Sequence, residues 1–363
     1  MRLHTGLESV GIEPVITAVF SRVRKYAVGL SISLVSSFVA AQLPETQPDA
    51  PATASVGETD IEEVLVVGEQ PGPQLWQVHK GDHRLYVLAM ESPLPKNMEW
   101  KSSEVEKIVA QSQEMITPPS MKFEFGFWGS IGALPALIGY RNNPDGKKLN
   151  EVLSPELYAR WVALKEKYHL DDKSLEKQRP IFAANALYKQ ALDKIGLAPN
   201  DFIRWKLELI VKQQKIPTNR PELQHQMSDA GKKIRKFKAS PLDDSACFTT
   251  YLDRLESDID GMIARANAWA RGDIETILSL PHPEEMTTCA QAIMSADFFK
   301  EEGMGDLTGV LRNAWVDAAV AALDKNTSTF AYLPIQFVLP SDGYLAALAQ
   351  RGYEIDGVVL KGN

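Results

Sequence analysis

The chain has 363 residues, of which 44% are hydrophobic and 24% are charged, and its formal net charge is −8. This length suffices for one large domain or two smaller ones, and the composition is that of a globular protein. The acidic balance gives no electrostatic basis for binding nucleic acid, and the sequence has neither zinc-finger spacing nor an aromatic RNA-binding motif.

The first 41 residues have the pattern of a targeting segment. Three basic residues, Arg22, Arg24 and Lys25, precede an apolar run that ends in Val-Ala-Ala at Ala41. The run is too short and serine-rich for a comfortable membrane span, and its small last residues suit signal peptidase. We predict a signal peptide cleaved after Ala41 and a periplasmic or secreted mature chain without a transmembrane span. The alternative is an uncleaved anchor.

Residues 42–73 are rich in Pro, Ala, Thr and Glu and lack apolar periodicity, which predicts a flexible linker. Within them, Ile61–Gly68 is similar to the short segment that outer-membrane transporters present to their energising partner. A first β-strand and a sticky patch are equally open interpretations. We expect the folded domain to cover residues 74–363.

The domain begins with a hairpin signal, in which the apolar runs Leu75–Val78 and Arg84–Ala89 flank Lys80-Gly81-Asp82. The spacing of apolar residues then predicts a helix over Ser102–Ser112, and Glu114–Thr117 reads as another strand.

Phe123–Tyr140 has one charged residue, Glu124, and four glycines spaced among aromatic and aliphatic residues. We predict a buried helical hairpin here. The alternative is a surface that touches a membrane or a partner. The sequence Asn143-Pro144-Asp145-Gly146 predicts a turn directly after it.

Helical spacing dominates the middle of the chain, and the longest apolar pattern, from Phe248 to Ala270, predicts one helix ended by Gly272-Asp273. Strand character returns at Thr327–Leu333 and Tyr353–Leu360, with a helix over Tyr344–Gln350 between them. Predicted strands at both ends of the domain, with helices between them, indicate an α/β domain, with α+β as the alternative. Its mixed central sheet combines N- and C-terminal strands around a large helical middle segment.

The two cysteines, Cys247 and Cys289, are predicted to form a disulfide, because an exported chain folds in an oxidising compartment. A pair of separately buried thiols is the alternative. A bridge between them closes a loop of about 40 residues, which is worth about 3–4 kcal/mol in the chain-entropy model.

General catalytic signatures are absent from the sequence, including His-Glu-x-x-His, Gly-x-Ser-x-Gly, the phosphate-binding loop and Cys-x-x-Cys. His79 and His83 flank the first turn and form either a two-histidine site or an accidental pair. The carboxylates Asp243-Asp244 are expected to cap a helix or to lie solvated, since nothing marks them as desolvated. The basic run Lys232–Lys238 meets anionic lipid or glycan, or is simply a solvated face.

Seven segments lie in a characteristic order and spacing, namely Leu75–Asp82, Leu85–Ala89, Pro93–Pro95, Ala268–Asp273, Arg312–Trp315, Gly343–Leu348 and Gly352-Tyr353. Together they resemble the TraB/GumN family, which is related to Tiki-type metalloproteases. The resemblance implies a strand-based site in which two Gly-x-x-His motifs and a glutamate hold a divalent metal and activate water.

The sequence departs from that implied ligand set at each position. The first motif falls on Ala89–Ser92 and the second on Pro334–Phe337, so that Ser92 and Phe337 stand in place of the histidines. The glutamate position falls near Pro118. Phenylalanine and proline have no side-chain lone pair for a metal, and serine is a poor ligand unless it is ionised. The sequence therefore predicts no resident metal or other cofactor.

Three functions stay open. The first is a non-catalytic binding or structural module, whose ligand is a peptide, lipid or glycan fragment in a cleft lined by Ala89, Met90, Ser92, Pro334 and Phe337. The second is a metal-dependent peptidase or hydrolase with substitute ligands such as Glu91, His79 or His83. The third is a metal-independent activity at Ser92. We favour the first function.

Overall fold

A computed structural model describes residues 72–124, 135–199, 201–281, 285–294, 297–301, 303–304 and 306–357. The predicted signal peptide, nearly all of the predicted linker and the segment Ile61–Gly68 lie outside the described residues.

Ten strands are present in the described part of the chain. They are β1 (Leu75–Lys80), β2 (His83–Met90), β3 (Leu94–Pro95), β4 (Glu114–Ile116), β5 (Ser120–Glu124), β6 (Leu197–Ala198), β7 (Thr218–Asn219), β8 (Glu222–Gln226), β9 (Ser328–Pro334) and β10 (Glu354–Asp356). Six of them form the main sheet in the order β10-β1-β2-β9-β4-β7, and β3-β6 and β5-β8 form two small pairs.

The main sheet is mixed. Strands β1 and β2 form the predicted antiparallel hairpin, and β10 pairs antiparallel with β1 on the outside. Strand β9 runs parallel to β2 and to β4, and β7 runs parallel to β4. The predicted α/β fold, with N- and C-terminal strands in one sheet, is thus confirmed. Since β2, β9, β4 and β7 are all parallel, their carboxyl ends meet along one edge, here named the carboxyl edge.

Helices make up most of the remaining described structure. They are α1 (Ser103–Gln111), α2 (Leu149–Val152), α3 (Pro155–Lys167), α4 (Pro180–Lys194), α5 (Asp201–Gln214), α6 (Ala230–Ala239), α7 (Ser245–Ser257), α8 (Ile259–Ala270), α9 (Ile274–Ser279), α10 (Glu285–Met294), α11 (Asp297–Glu301), α12 (Leu307–Lys325), α13 (Ile335–Val338) and α14 (Tyr344–Gln350), with 3-10 turns at Pro144–Gly146 and Lys173–Lys177. Among the described residues, no helix is both long and apolar enough to cross a membrane.

Two hydrophobic cores lie on either side of α8. The sheet core contains Trp76, Trp315 and Phe330, all fully buried, and it packs the main sheet against α1, α5, α12 and α14. The helical core centres on Trp161 and Phe248, from α3 and α7. Helix α8 contributes to both, since Met262 lies in the helical core and Trp269 lies in the sheet core.

The predicted disulfide is present between Cys247 on α7 and Cys289 on α10, with an Sγ–Sγ distance of 2.00 Å. It lies inside the helical core, where both cysteines are buried. No free cysteine occurs in the described part of the chain.

The predicted helical hairpin over Phe123–Tyr140 is wrong at its start. Phe123 and Glu124 belong to β5, which pairs parallel with β8. Phe123 is buried and contacts the ring of His225 edge-on, with 5.9 Å between centroids. A strand forms here instead of a helix because the alternation of its side chains buries Phe123 while Lys122 and Glu124 stay partly exposed. Residues 125–134 lie outside the described residues.

The single helix predicted from Phe248 to Ala270 is also wrong, because the chain breaks at Asp258. This residue ends α7 and starts α8 with φ −113° and ψ 7°, outside helical geometry. The apolar pattern continues through the break, so the sequence period alone did not reveal it. The break turns the Asp258 carboxylate toward Arg265, with which it forms an ion pair.

The expectation of a solvated carboxylate is wrong for Asp244, because its side chain is buried. One carboxylate oxygen accepts a hydrogen bond from the backbone N–H of Ile181, 2.9 Å away in the first turn of α4. Burial raises the pKa of Asp244 to about 6, although this hydrogen bond and the nearby Arg179 guanidinium both lower it.

We predict a pH signature from Asp244. Between about pH 4 and pH 6 the folded state binds more protons at this carboxyl than the unfolded state, so this group makes the protein less stable as pH rises. The native chain loses this contribution as pH rises, and the Asn variant does not. The unfolding free energy of Asp244→Asn minus that of the native chain should therefore rise by about 2–3 kcal/mol from pH 4 to pH 7. Urea denaturation across this range measures the difference. Asp243→Asn, at the exposed neighbour, is the control, and an Asp244→Asn difference that does not vary with pH would refute the prediction.

Candidate site at the carboxyl edge of the main sheet

The carboxyl edge brings together the two segments that the sequence singled out. Ala89 pairs with Leu333, and Met90 pairs with Pro334, at the ends of β2 and β9. The chain then continues into Glu91 and Ser92 after β2 and directly into α13 after β9. Parallel pairing of these two strands thus places both motif segments side by side.

The third predicted position joins the same edge. Thr117 and Pro118 follow β4, which is the other neighbour of β9. Thr117 is buried, and its backbone N–H donates to the carbonyl of Asn219 at the end of β7, 3.0 Å away. All three segments expected to carry a site therefore end at one edge of the sheet.

The four motif residues differ in accessibility. Ser92 is exposed, and Pro334 and Phe337 are half-buried. Ala89 is fully buried, and its carbonyl accepts a 2.6 Å hydrogen bond from the indole Nε1–H of Trp269. The predicted lining of a cleft by Ala89 is therefore wrong, because the strand end turns its side chain into the sheet core.

Phe337 belongs to an aromatic stack on the β9 side of the edge. Its ring lies nearly parallel to that of Tyr344, with 5.1 Å between centroids and 11° between planes. Tyr344 also contacts Trp315, with 5.6 Å between centroids. Burial raises the pKa of Tyr344 to about 12, with the charge of Arg312 acting in the opposite direction. The phenol of Tyr344 is therefore neutral at physiological pH.

An ionic cluster lies on the β2 side of the edge. Arg265 of α8 donates from both guanidinium nitrogens to the Asp258 carboxylate, over 2.7 and 3.1 Å. Its Nη1 also donates to the carbonyl of Pro281 over 2.6 Å. The Arg265 side chain is 2% exposed and that of Asp258 is 13% exposed, so the pair is shielded from water. A buried pair of this geometry is satisfied by several hydrogen bonds, as burial of charge requires.

Arg254 and Tyr188 extend the ionic cluster. Arg254 lies over the ring of Tyr188, 5.0 Å from its centroid, and its Nε is 3.7 Å from Asp258. Tyr188 packs against Tyr251, whose hydroxyl accepts a 2.6 Å hydrogen bond from the side-chain amide of Asn185.

Burial raises the pKa of both phenols to about 12. The positive charge of Arg254 opposes burial and lowers the pKa of Tyr188, whereas the negative charge of Asp258 raises it. Glu91, just after β2, raises it further, which connects the ionic cluster to the sheet edge. Both tyrosines are therefore neutral hydrogen-bonding groups, since a pKa of about 12 leaves the phenolate unpopulated near pH 7.

Residues 74–356 match the TraB/PrgY/gumN family. The chain belongs to this family. No curated protein and no solved structure is significantly similar to the chain.

The metal centre that the TraB/GumN resemblance implies does not fit the residues at the edge. Phe337 offers a hydrocarbon ring, and this ring is already stacked on Tyr344. Among the residues that the structure describes, no group of three or more His, Cys, Asp or Glu side chains is arranged to hold a metal ion. Metal ligands must be lone-pair donors grouped around one point, and these side chains do not meet that condition.

The two histidines considered as substitute ligands lie at the far end of the sheet. His83 starts β2 and His79 is near the end of the antiparallel β1, so both are about 20 Å from Met90 at the rise of an extended strand. The Nε2 of His79 is 2.6 Å from Asp356, and Nδ1 of His83 is 2.6 Å from the Leu323 carbonyl. Neither imidazole points to a shared site with Glu91.

The ionic cluster was missed in the sequence, although one signal was present. Arg254, Asp258 and Arg265 follow four- and seven-residue spacing, which places them along one side of the apolar stripe of α7 and α8. Their proximity to Glu91 and Tyr188 arises from tertiary packing, which no local pattern reports.

Proposed function

We propose that this TraB/PrgY/gumN protein is an exported, non-catalytic module that binds an envelope ligand at the carboxyl edge of its main sheet. The observation that carries the proposal is the stacking of Phe337 on Tyr344. The family resemblance places a metal-binding histidine at this position, and here a phenyl ring is packed on Tyr344. A stacked phenyl ring supports contact with an apolar or ring-shaped ligand and offers nothing to a metal.

The surroundings of Phe337 support binding rather than hydrolysis. The buried charges on the β2 side are already engaged, since Arg265 and Asp258 form two hydrogen bonds with each other. The neutral Tyr188 and Tyr344 supply neither a nucleophile nor a general base near pH 7, because burial holds their pKa at about 12. Exposed Ser92 and half-buried Phe337 follow the paired strand ends Met90 and Pro334, and this mix of polar and apolar side chains favours an amphipathic ligand, namely a peptide, lipid or glycan fragment.

Export is the second part of the proposal. Its support is the basic cluster followed by an apolar run and Val-Ala-Ala at Ala41. The Cys247–Cys289 disulfide is compatible with an oxidising compartment. Mass spectrometry of the mature N-terminus should find Gln42 as the first residue. A mature chain that still carries Arg22–Lys25 would contradict cleavage.

The binding proposal predicts the behaviour of two variants in a thermal-shift screen. The screen uses peptidoglycan fragments, phospholipid micelles and synthetic peptides. We expect at least one of these to raise the melting temperature of the native chain, and we expect Phe337→Ala and Ser92→Trp each to abolish that rise. Phe337→Ala removes the stacked ring, and Ser92→Trp fills the exposed side of the edge.

Ser174→Trp is the matched control, because Ser174 is an exposed serine in the 3-10 turn Lys173–Lys177, outside the carboxyl edge and the ionic cluster. It should keep the full ligand-induced rise. Circular dichroism of the ligand-free variants separates a lost site from a lost fold. Ligand-induced rises that survive in both edge variants would place the binding site elsewhere.

A further inference from the structure

Helix α6 presents a dense positive charge in an acidic protein. It has five cations and no acidic residue, namely Lys232, Lys233, Arg235, Lys236 and Lys238. Ile234 and Phe237 are buried on its inner face, so the cations occupy the outer side. The whole chain carries 47 acidic and 39 basic residues, which makes this local excess of positive charge unusual.

Two segments joined by a hydrogen bond from the Asn143 N–H to the Lys177 carbonyl, here together called the loop, add three exposed cations: Lys147 and Lys148 in one segment and Lys177 in the other. The loop is fixed to α6 through buried Arg179. The guanidinium Nη2 of Arg179 donates to the carbonyls of Phe237 and Lys238, over 2.8 and 2.9 Å, at the end of α6. The backbone N–H of Arg179 donates to the carbonyl of Arg141 over 2.7 Å. The cations of the helix and of the loop thus share one side of the molecule, here named the basic surface.

Most of this charge is not neutralised within the protein. Lys236 pairs with Glu301, and Lys238 donates to the backbone carbonyl of Ile138 over 2.6 Å. In the part of the chain that the structure describes, five exposed cations of the basic surface have no ion-pair partner. They are Lys147, Lys148, Lys177, Lys232 and Arg235. Three exposed acidic residues also lie in this region: Asp145 and Glu151 near the loop lysines, and Asp229 at the start of α6.

An apolar side chain lies directly beside these cations. Ile138 is 76% exposed, the highest value among the exposed large hydrophobic residues of the described chain. Its carbonyl bonds to Lys238, so its position relative to α6 is fixed. Cations that flank an exposed aliphatic side chain fit a lipid interface, where headgroups attract the charges and the side chain enters the acyl boundary.

We propose that the basic surface binds the headgroups of an anionic phospholipid membrane. The charge of Lys232, Arg235 and the loop lysines provides the attraction, and Ile138 distinguishes a bilayer from a soluble polyanion. This surface shares no residue with the carboxyl edge, so the proposal stands independently of the ligand proposed there.

The test is flotation of the full mature chain with vesicles of phosphatidylcholine containing about 30% phosphatidylglycerol, compared with pure phosphatidylcholine. We expect binding only to the anionic vesicles, and we expect loss of binding when salt rises from about 0.05 M to about 0.5 M. Lys232→Glu/Arg235→Glu should weaken binding at least about tenfold, since each basic residue near an anionic surface contributes to the attraction. Lys107→Glu/Lys212→Glu, on α1 and α5, is the control with equal charge change and should bind like the native chain.

Ile138→Ser separates a membrane from a soluble polyanion. We expect it to weaken binding to anionic vesicles while leaving retention on a heparin column unchanged. Three results would overturn the proposal. These are failure of the native chain to float with anionic vesicles, equal loss in both double variants, and heparin retention that depends on Lys232 and Arg235 without any vesicle binding.

Discussion

Arg265→Met is expected to lower the free energy of unfolding by about 3 kcal/mol, because it breaks a shielded ion pair and leaves the more distant Arg254, 3.7 Å away, as the ionic partner of Asp258. In the native protein, Arg265 donates two hydrogen bonds to Asp258 and a third to the Pro281 carbonyl. Methionine replaces the aliphatic part of the side chain and none of these bonds. Urea denaturation followed by circular dichroism measures the loss.

A double-mutant cycle tests whether the loss comes from the broken ion pair. Asp258→Asn removes the negative charge, so Arg265→Met/Asp258→Asn should be more stable than the sum of the two single losses predicts, by at least about 1 kcal/mol. Arg254 remains near residue 258 in every variant, which keeps its cation–π contact with Tyr188 constant. Additive losses, or a single loss below about 1 kcal/mol, would mean that this pair contributes little to the fold.

Removal of the disulfide should have an effect of similar size. Cys247 and Cys289 are 42 residues apart in sequence, so the bridge restricts a long loop of the unfolded chain. In the chain-entropy model, Cys247→Ala/Cys289→Ala should lower the free energy of unfolding by about 3–4 kcal/mol. The loss should appear as a lower urea midpoint with intact native circular dichroism in the absence of urea.

Reduction provides the control for this prediction. A reductant should destabilise the native chain by a similar amount and should leave the Cys247→Ala/Cys289→Ala variant unaffected. If two thiols of the native oxidised protein react with an alkylating reagent, the bridge is not formed. If the variant is as stable as the native chain, the bridge does not restrict the unfolded state as expected.

Local patterns in the sequence were enough to predict much of the sheet. The first hairpin follows from two alternating runs around Gly81, which has the positive φ of 61° that favours glycine in a tight turn. Strand β9 follows from the β-rich run near residue 330, and its parallel pairing with β2 matches the prediction of a sheet built from both chain ends.

Features that depend on distant contacts were not predictable in this way. Strand β7 has two residues, which is too short for any periodicity, and it exists because β4 offers a parallel partner. The break at Asp258 lies inside an unbroken apolar pattern, and the contact with Arg265 shows why the chain turns there. Strand β5 was not predicted, because only its last two residues, Phe123 and Glu124, fall in Phe123–Tyr140, where glycines and aromatics dominate the pattern.

The candidate site was predicted in part. The resemblance placed Ser92 and Phe337 at strand ends, and the register of β2 and β9 brings these ends together. The stack of Phe337 on Tyr344 could not be read from the sequence, because it depends on how α13 and α14 pack. The burial of Ala89 was missed for a similar reason, since Trp269 reaches this strand end from α8.

Metal content is the most direct test of the central claim that this TraB/PrgY/gumN protein binds a ligand without a catalytic metal. The mature protein is incubated separately with Zn²⁺, Mn²⁺ and Co²⁺, desalted, and measured by inductively coupled plasma mass spectrometry. We predict well under about 0.1 ion per chain for each metal, because Ser92 and Phe337 do not supply the ligands that such a centre needs. Retention of about one ion per chain, lost on substitution of Glu91 or Ser92, would contradict the account.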